Sequence, residues 1–248
     1  MLQPALRGAS PMVYARVAGV LYLFVFLVAP FAEFVVREGM IVAGNPAATA
    51  ANIRGGEFLF RAGFASDLAV FAVEVVQAGV LFVLFAPVSR VLALVMAFGR
   101  LAQATAVGLN LLNQWIALLV LTGGEYLAAF DTAQREALAL LFLEAQSYGY
   151  ELGLVFFAVH LAALGWLVTR STFLPRLLGA LLAVSAAGYL LNSFVRFLWP
   201  EFEPVLAQVV IVTALIGELP LTVWLLWRGV DVDRWRERAA APAVGVAS

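Results

Sequence analysis

The stretch Ala133–Arg170, AQREALALLFLEAQSYGYELGLVFFAVHLAALGWLVTR, decides how the chain is built. It is apolar enough to be a helix in lipid, yet it holds the only histidine, His160, and two carboxylates, Glu144 and Glu151. At ~1.5 Å per residue such a helix reaches well beyond a hydrocarbon core of ~30 Å, so it must tilt, protrude or break. Gly149 marks the expected bend. Glu144 and Glu151 stand seven residues apart, which at roughly 100° per residue sets both on one face with Tyr148 between them. A charged face inside a membrane is expected to look inward. Gly149 and Gly153 form a small-xxx-small pair that lets another helix approach at the same level.

Composition agrees with this reading. Hydrophobic residues make up 64% of the 248 residues and charged ones 12%, against roughly half and a quarter in soluble domains. Apolar runs of spanning length cover nearly everything, so the chain reads as one transmembrane domain, residues 1–228, with a short tail, residues 229–248. The expected fold is all-α, a polytopic bundle of six helices at about 17–36, 58–85, 91–121, 137–169, 177–199 and 205–227. All 15 bases are arginine. The absence of lysine excludes Schiff-base chemistry, and the absence of cysteine excludes disulfides, thiolate metal sites and iron–sulfur clusters. Arginine in place of lysine, with abundant alanine, suggests a GC-rich bacterial genome.

In chain order, Arg7 and Arg16 precede a first run too long for a signal peptide and lacking a clean cleavage site, which therefore reads as a retained span. Pro30 is expected to kink its outer end near Glu33. The loop Arg37 to Glu57 contains Asn45-Pro46, a helix-start signal for a short interfacial helix. The second span carries Arg61, Asp67, Glu74 and Gln77, with Asp67 and Glu74 again seven apart on one face. The third carries Arg100, Gln103, Asn110 and Gln114 at spacings that draw a polar stripe down one side. Counting outward from the short connection between these spans, Glu74 and Arg100 fall at similar depth and are the expected buried ion pair. The fifth span carries Asn192 and Arg196. The sixth carries Gln208 and places Glu218 immediately before Leu219-Pro220, where proline frees a carbonyl.

Arginines also orient the chain. With six spans, one side receives both termini and Arg7, Arg16, Arg90, Arg170, Arg176, Arg228, Arg234, Arg236 and Arg238, while the other receives Arg37, Arg54 and Arg135. The positive-inside rule then puts both termini in the cytoplasm of a bacterial inner membrane. Arg16, Gly19, Leu21, Phe34 and Val35 recur 160 residues later at Arg176, Gly179, Leu181, Phe194 and Val195, a pattern that either chance or a duplicated hairpin produces.

Within the spans, Glu33, Asp67, Glu74, Glu144, Glu151 and Glu218 face Arg61, Arg100 and Arg196, six acids against three bases. A charge at the bilayer centre costs ~2.5 to 3.5 kcal/mol on insertion scales, so these groups should face the bundle. One reading is a cavity lined by Arg61, Asp67, Glu74, Arg100, Asn110, Glu144, Glu151 and Glu218 that binds a cation or relays protons. The other is that arginine–carboxylate pairs and amides hold the helices together, each contributing on the order of 0.6 to 2 kcal/mol. His160 lies about half a turn round from Glu151 and near a span end, where a hydrogen-bonded interfacial histidine is expected. One histidine per chain excludes bis-histidine haem and three-histidine zinc sites within it. Ser66 and Ser147 have no nucleophile elbow, which argues against a serine hydrolase. No cofactor and no metal are expected.

Several polar residues inside spans occur in recognisable runs: RVAGVLYL from Arg16, AEFVVR from Ala32, FRAGFASDL from Phe60, FGRLAQA from Phe98, GLNLLN from Gly108, GYELGLVFFAVH from Gly149 and RSTFLPRLLG from Arg170. In these the chain resembles the multi-spanning bacterial family called domain of unknown function 4386. The resemblance covers nearly the whole chain and implies that Arg61, Asp67, Arg100, Asn110 and His160 belong to family patterns. It carries no activity, ligand or active site with it. Three functions are compatible with the residues: a binding protein or proton-coupled transporter for a small molecule or ion, an intramembrane enzyme acting on a lipid or prenyl-type substrate, and a structural or sensory subunit. Membrane lipids are the expected neighbours, and no basic patch suggests nucleic acid.

Overall fold

A computed structural model describes residues 10–241. Arg7, the last residues of the tail and the side chain of Gln208 lie outside the described residues. The first apolar run is a helix, α1 (Pro11–Met40); α2 (Pro46–Gly55) is short; α3 (Glu57–Phe85), α4 (Arg90–Thr122), α5 (Thr132–Arg170) and α6 (Arg176–Leu198) are long; α7 (Glu203–Trp227) and a tail helix α8 (Val232–Ala240) follow. No strand occurs among the described residues. Helices α1, α3, α4, α5 and α6 are long and apolar enough to cross a membrane, and Leu215–Trp227 of α7 adds a shorter apolar stretch. The chain is an all-α polytopic helical bundle, with helices where the apolar runs predict them.

The helix starts follow local chemistry. Asn45 caps α2 by accepting from the amide of Ala48 at 3.0 Å, with Pro46 in the first turn, where its missing N–H costs nothing. Asp131 and Gln134 cap α5 reciprocally: Asp131 Oδ1 accepts from the Gln134 amide at 2.8 Å, and Gln134 Oε1 accepts from the Asp131 amide at 3.0 Å.

Of the two expected departures from a regular helix, the one at Gly149 is absent and the one after Pro30 is present. Helix α5 runs unbroken through Gly149 for 39 residues. The interruption lies instead in α1, where Phe31–Arg37 forms a π-helical segment directly after Pro30. Proline has no N–H to continue the α ladder. The following residues re-register to the wider pattern, in which the Glu38 amide donates to Glu33 O.

The chain packs as two compact units whose boundaries fall within α1, α3, α4 and α5. One unit comprises Leu23–Val75 and Ala102–Leu154. Its interior includes Val36, Ile53, Phe60, Leu118 and Leu143, and a second group around Val70, Phe71, Val107 and Leu111. Here the small-xxx-small pair has its expected use. A Cβ on Gly149 would run into the Asn110 amide, and one on Gly153 into the Val107 side chain. Gly149 thus permits close approach rather than a bend.

The other unit comprises Met1–Tyr22, Val76–Leu101 and Val155–Ser248. In it α4 and α5 meet at Gly99, where a Cβ would lie 2.9 Å from the His160 amide nitrogen. Helices α6 and α7 are joined by Ser185 Oγ donating to Thr213 O. The tail helix is docked: Trp235 Nε1 donates to Leu84 O at 2.8 Å and the Asp231 amide to Phe173 O at 3.2 Å.

Candidate functional site

The first unit holds a buried charged group assembled from α1, α3 and α5. The π-helical segment brings Glu33 and Arg37 onto one side of α1. Arg37 Nε donates to Glu33 Oε2 at 2.7 Å, and Arg37 Nη1 donates to Asp67 Oδ2 at 2.5 Å. The two carboxylates differ in access: the Glu33 side chain is 45% exposed and that of Asp67 is 5% exposed. Arg37 therefore bridges an open carboxylate and a sealed one. Tyr150, half-buried on α5, has its hydroxyl within electrostatic reach of Glu33, Arg37, Asp67 and Glu74.

Asp67 and Glu74 are both buried on α3, as their shared face requires. Glu151 is buried on α5. The polar stripe of α4 also faces inward, with Gln103 and Gln114 buried. Asn110 Nδ2 donates to Gln146 O at 2.6 Å, while Asn110 Oδ1 accepts from Asn113 at 2.9 Å. Among the described residues, both amide atoms of Gln114 and Gln103 Oε1 are buried without a hydrogen-bond partner.

Two of the expected cavity residues lie elsewhere. Arg61 is on the surface of α3, paired with Glu57 one turn earlier at 2.7 Å and stacked over Trp115 at 5.1 Å. An i,i+4 carboxylate and an aromatic face let the guanidinium settle without entering the interior. Glu144 is exposed, as is Tyr148. At that level the covered face of α5 is the one carrying Ala139, Leu140, Leu143 and Gln146, so a common azimuth with Glu151 does not give common burial. Arg37, conversely, belongs to a helix and not to the first loop. The apolar run stops at Val36, which hides it. The signal in the sequence is Glu33-x-x-x-Arg37 just after Pro30, together with Asp67, an acid needing a base.

The second unit has its own polar group around Phe157. Arg100 Nη2 donates to Gln77 Oε1 at 2.9 Å, and its guanidinium lies 4.6 Å from the Phe157 ring centroid. Phe157 stacks on His160 at 5.8 Å and meets Tyr189 edge-on at 5.1 Å. The Tyr189 hydroxyl donates to Glu218 Oε1 at 3.3 Å, and Thr222 Oγ1 donates to Glu218 O. His160 makes its expected hydrogen bond, Nδ1 to Met96 O at 2.8 Å, but it is fully buried rather than interfacial. Gly99 explains the difference, because α4 closes over His160 backbone to backbone.

These features define a multi-pass membrane protein with buried charge networks inside its helices. The chain belongs to the family described as domain of unknown function 4386, whose model matches residues 17–229. An uncharacterised protein of Archaeoglobus fulgidus is 33% identical over 79 residues, 32% of this chain and 45% of that protein. The chain thus spans less than half the length of this relative in the match. No solved structure matches the chain.

Proposed function

We propose that the protein is a multi-pass component of a bacterial cytoplasmic membrane, with both termini in the cytoplasm, that binds a small organic cation at the Glu33–Arg37–Asp67 group and carries it across the membrane in exchange for protons. The observation that carries this reading is the seat itself. Two carboxylates hold one guanidinium, so the triad is net negative when ionised, and the charge it accommodates is already an organic cation. Glu33 provides an exposed point of arrival, and Asp67 a sealed one. Asp67 can exchange Arg37 for a ligand cation or for a proton, and each exchange frees Arg37 to remain on Glu33. Orientation rests on the arginine distribution, which sharpens when Arg37 is counted inside α1: only Arg54 and Arg135 remain on the side opposite the termini.

Thermal unfolding of the purified protein with low millimolar guanidinium, alkylguanidinium or alkylammonium salts tests the binding. Ligand stabilisation follows from mass action on the folded state. At least one of these salts should raise Tm in the wild type and not in Asp67→Asn; equal shifts in both would refute the site. The absence of cysteine gives a clean topology test. Cysteine at Ala43, an exposed position before α2, should react with an impermeant maleimide outside intact cells, and cysteine at Ala240 should not.

A further inference from the structure

Helices α5 and α6 form an apolar lateral groove of about 530 Å³ in the second unit, within the ~300 to 1,000 Å³ typical of ligand pockets. Its floor is closed by backbone contact: a Cβ on Gly165 would lie 2.7 Å from Gly179 O and 3.1 Å from the Ala183 amide nitrogen. Its walls include Ala162 and Ala183, exposed alanines on facing helices, with Trp166 and Leu190 as larger rim residues. From Gly179 to Leu190 the α6 wall spans about 17 Å at 1.5 Å per residue, the length of an extended acyl tail within one leaflet, half of a ~30 Å core.

The groove is charged at one end only. Arg170 ends α5 with its guanidinium 5.5 Å from the centroid of Trp166, a groove residue. Arg176 begins α6 one turn before Gly179 and Ala180, on the stripe that continues to Ala183. Both arginines are exposed, and neither is in an ion pair among the described residues. They flank the connection between two spanning helices, which lies at a membrane surface whichever way the chain is oriented. An apolar slot running from mid-membrane to two unneutralised guanidinium groups matches an anionic phospholipid in both shape and charge.

We infer that the α5–α6 groove is a binding site for an anionic phospholipid, one acyl chain lying along Ala162, Gly165 and Ala183 and the phosphate held by Arg170 and Arg176. Native mass spectrometry of protein released from phosphatidylcholine nanodiscs doped with phosphatidylglycerol tests this. The wild type should retain phosphatidylglycerol in preference to phosphatidylcholine. Arg170→Gln with Arg176→Gln should lower that preference by roughly tenfold or more, two surface arginines being involved. Ala162→Leu with Ala183→Leu should displace the lipid, and because both alanines are exposed these changes fill the groove without altering the interior. Arg236→Gln with Arg238→Gln, which removes the same charge from the tail, should leave retention unchanged. Equal retention in the wild type and both groove variants would overturn the assignment, as would a lipid-free dimer abolished by the leucines, which would make the groove an interface between copies.

Discussion

Arg37 on α1 donates to Asp67 on α3 at 2.5 Å, while its own Nε is held by Glu33 four residues earlier. A guanidinium shared in this way removes most of the cost of sealing Asp67 inside a spanning helix, where an isolated carboxylate would be strongly disfavoured. It also makes the two ends of the pair unequal. Arg37 without Asp67 keeps a partner, whereas Asp67 without Arg37 loses this one.

That inequality predicts the order of the single variants. Arg37→Gln should cost ~3 to 5 kcal/mol, the range for stranding a buried charge. Asp67→Asn should cost about 1 to 3 kcal/mol, since the side-chain amide oxygen that replaces the carboxylate still accepts a hydrogen bond. The double variant should be milder than the sum of the two. Reversible unfolding in detergent micelles measures all three, and strict additivity would show that the contact carries little energy.

Gly99 and Gly79 offer a paired packing test. A Cβ at Gly99 would meet backbone of α5, His160 N at 2.9 Å and Phe156 O at 3.1 Å, and backbone cannot swing aside. At Gly79 there is nothing within 4 Å. Gly99→Ala should therefore destabilise by ~1 to 3 kcal/mol. Gly79→Ala should stabilise by roughly 0.5 to 1 kcal/mol through helix propensity. An unchanged or raised melting temperature in Gly99→Ala would contradict the packing of α4 on α5.

The fold was legible because composition and run length determine it: each long helix covers its apolar run to within a residue, while the polar tail helix α8 has no such run to announce it. The candidate site was legible in part. Asp67 and Glu74 share a face by periodicity, and both are buried. Arg37 was not legible, because a hydropathy boundary ends at Val36 and periodicity presumes 3.6 residues per turn, which the π-helical segment violates. Glu144 misled for a related reason: helical phase gives azimuth but not which neighbours cover that level. Gly149 and Gly153 announced close approach, and a glycine read as a hinge proved to be a contact.

His160 yields a sharp spectroscopic prediction, since it is the sole histidine. The Met96 carbonyl can only accept, so Nδ1 carries the hydrogen and Nε2 presents a lone pair; Nε2 has no partner among the described residues. Nitrogen-15 NMR of histidine-labelled protein should show the Nδ1–H tautomer near neutral pH. The Nε2–H tautomer would mean that the contact with Met96 is not made.

The most direct test of the account is proton movement in liposomes containing the protein and a trapped pH-sensitive dye, after an inward guanidinium gradient is imposed. Guanidinium stays charged at working pH, so it does not carry protons by crossing as a neutral base. Exchange at Asp67 predicts that the lumen becomes alkaline with the wild type, and that Asp67→Asn behaves like empty liposomes. Equal alkalinisation with Asp67→Asn, or none above empty liposomes with the wild type, would contradict cation–proton exchange at the Arg37–Asp67 pair.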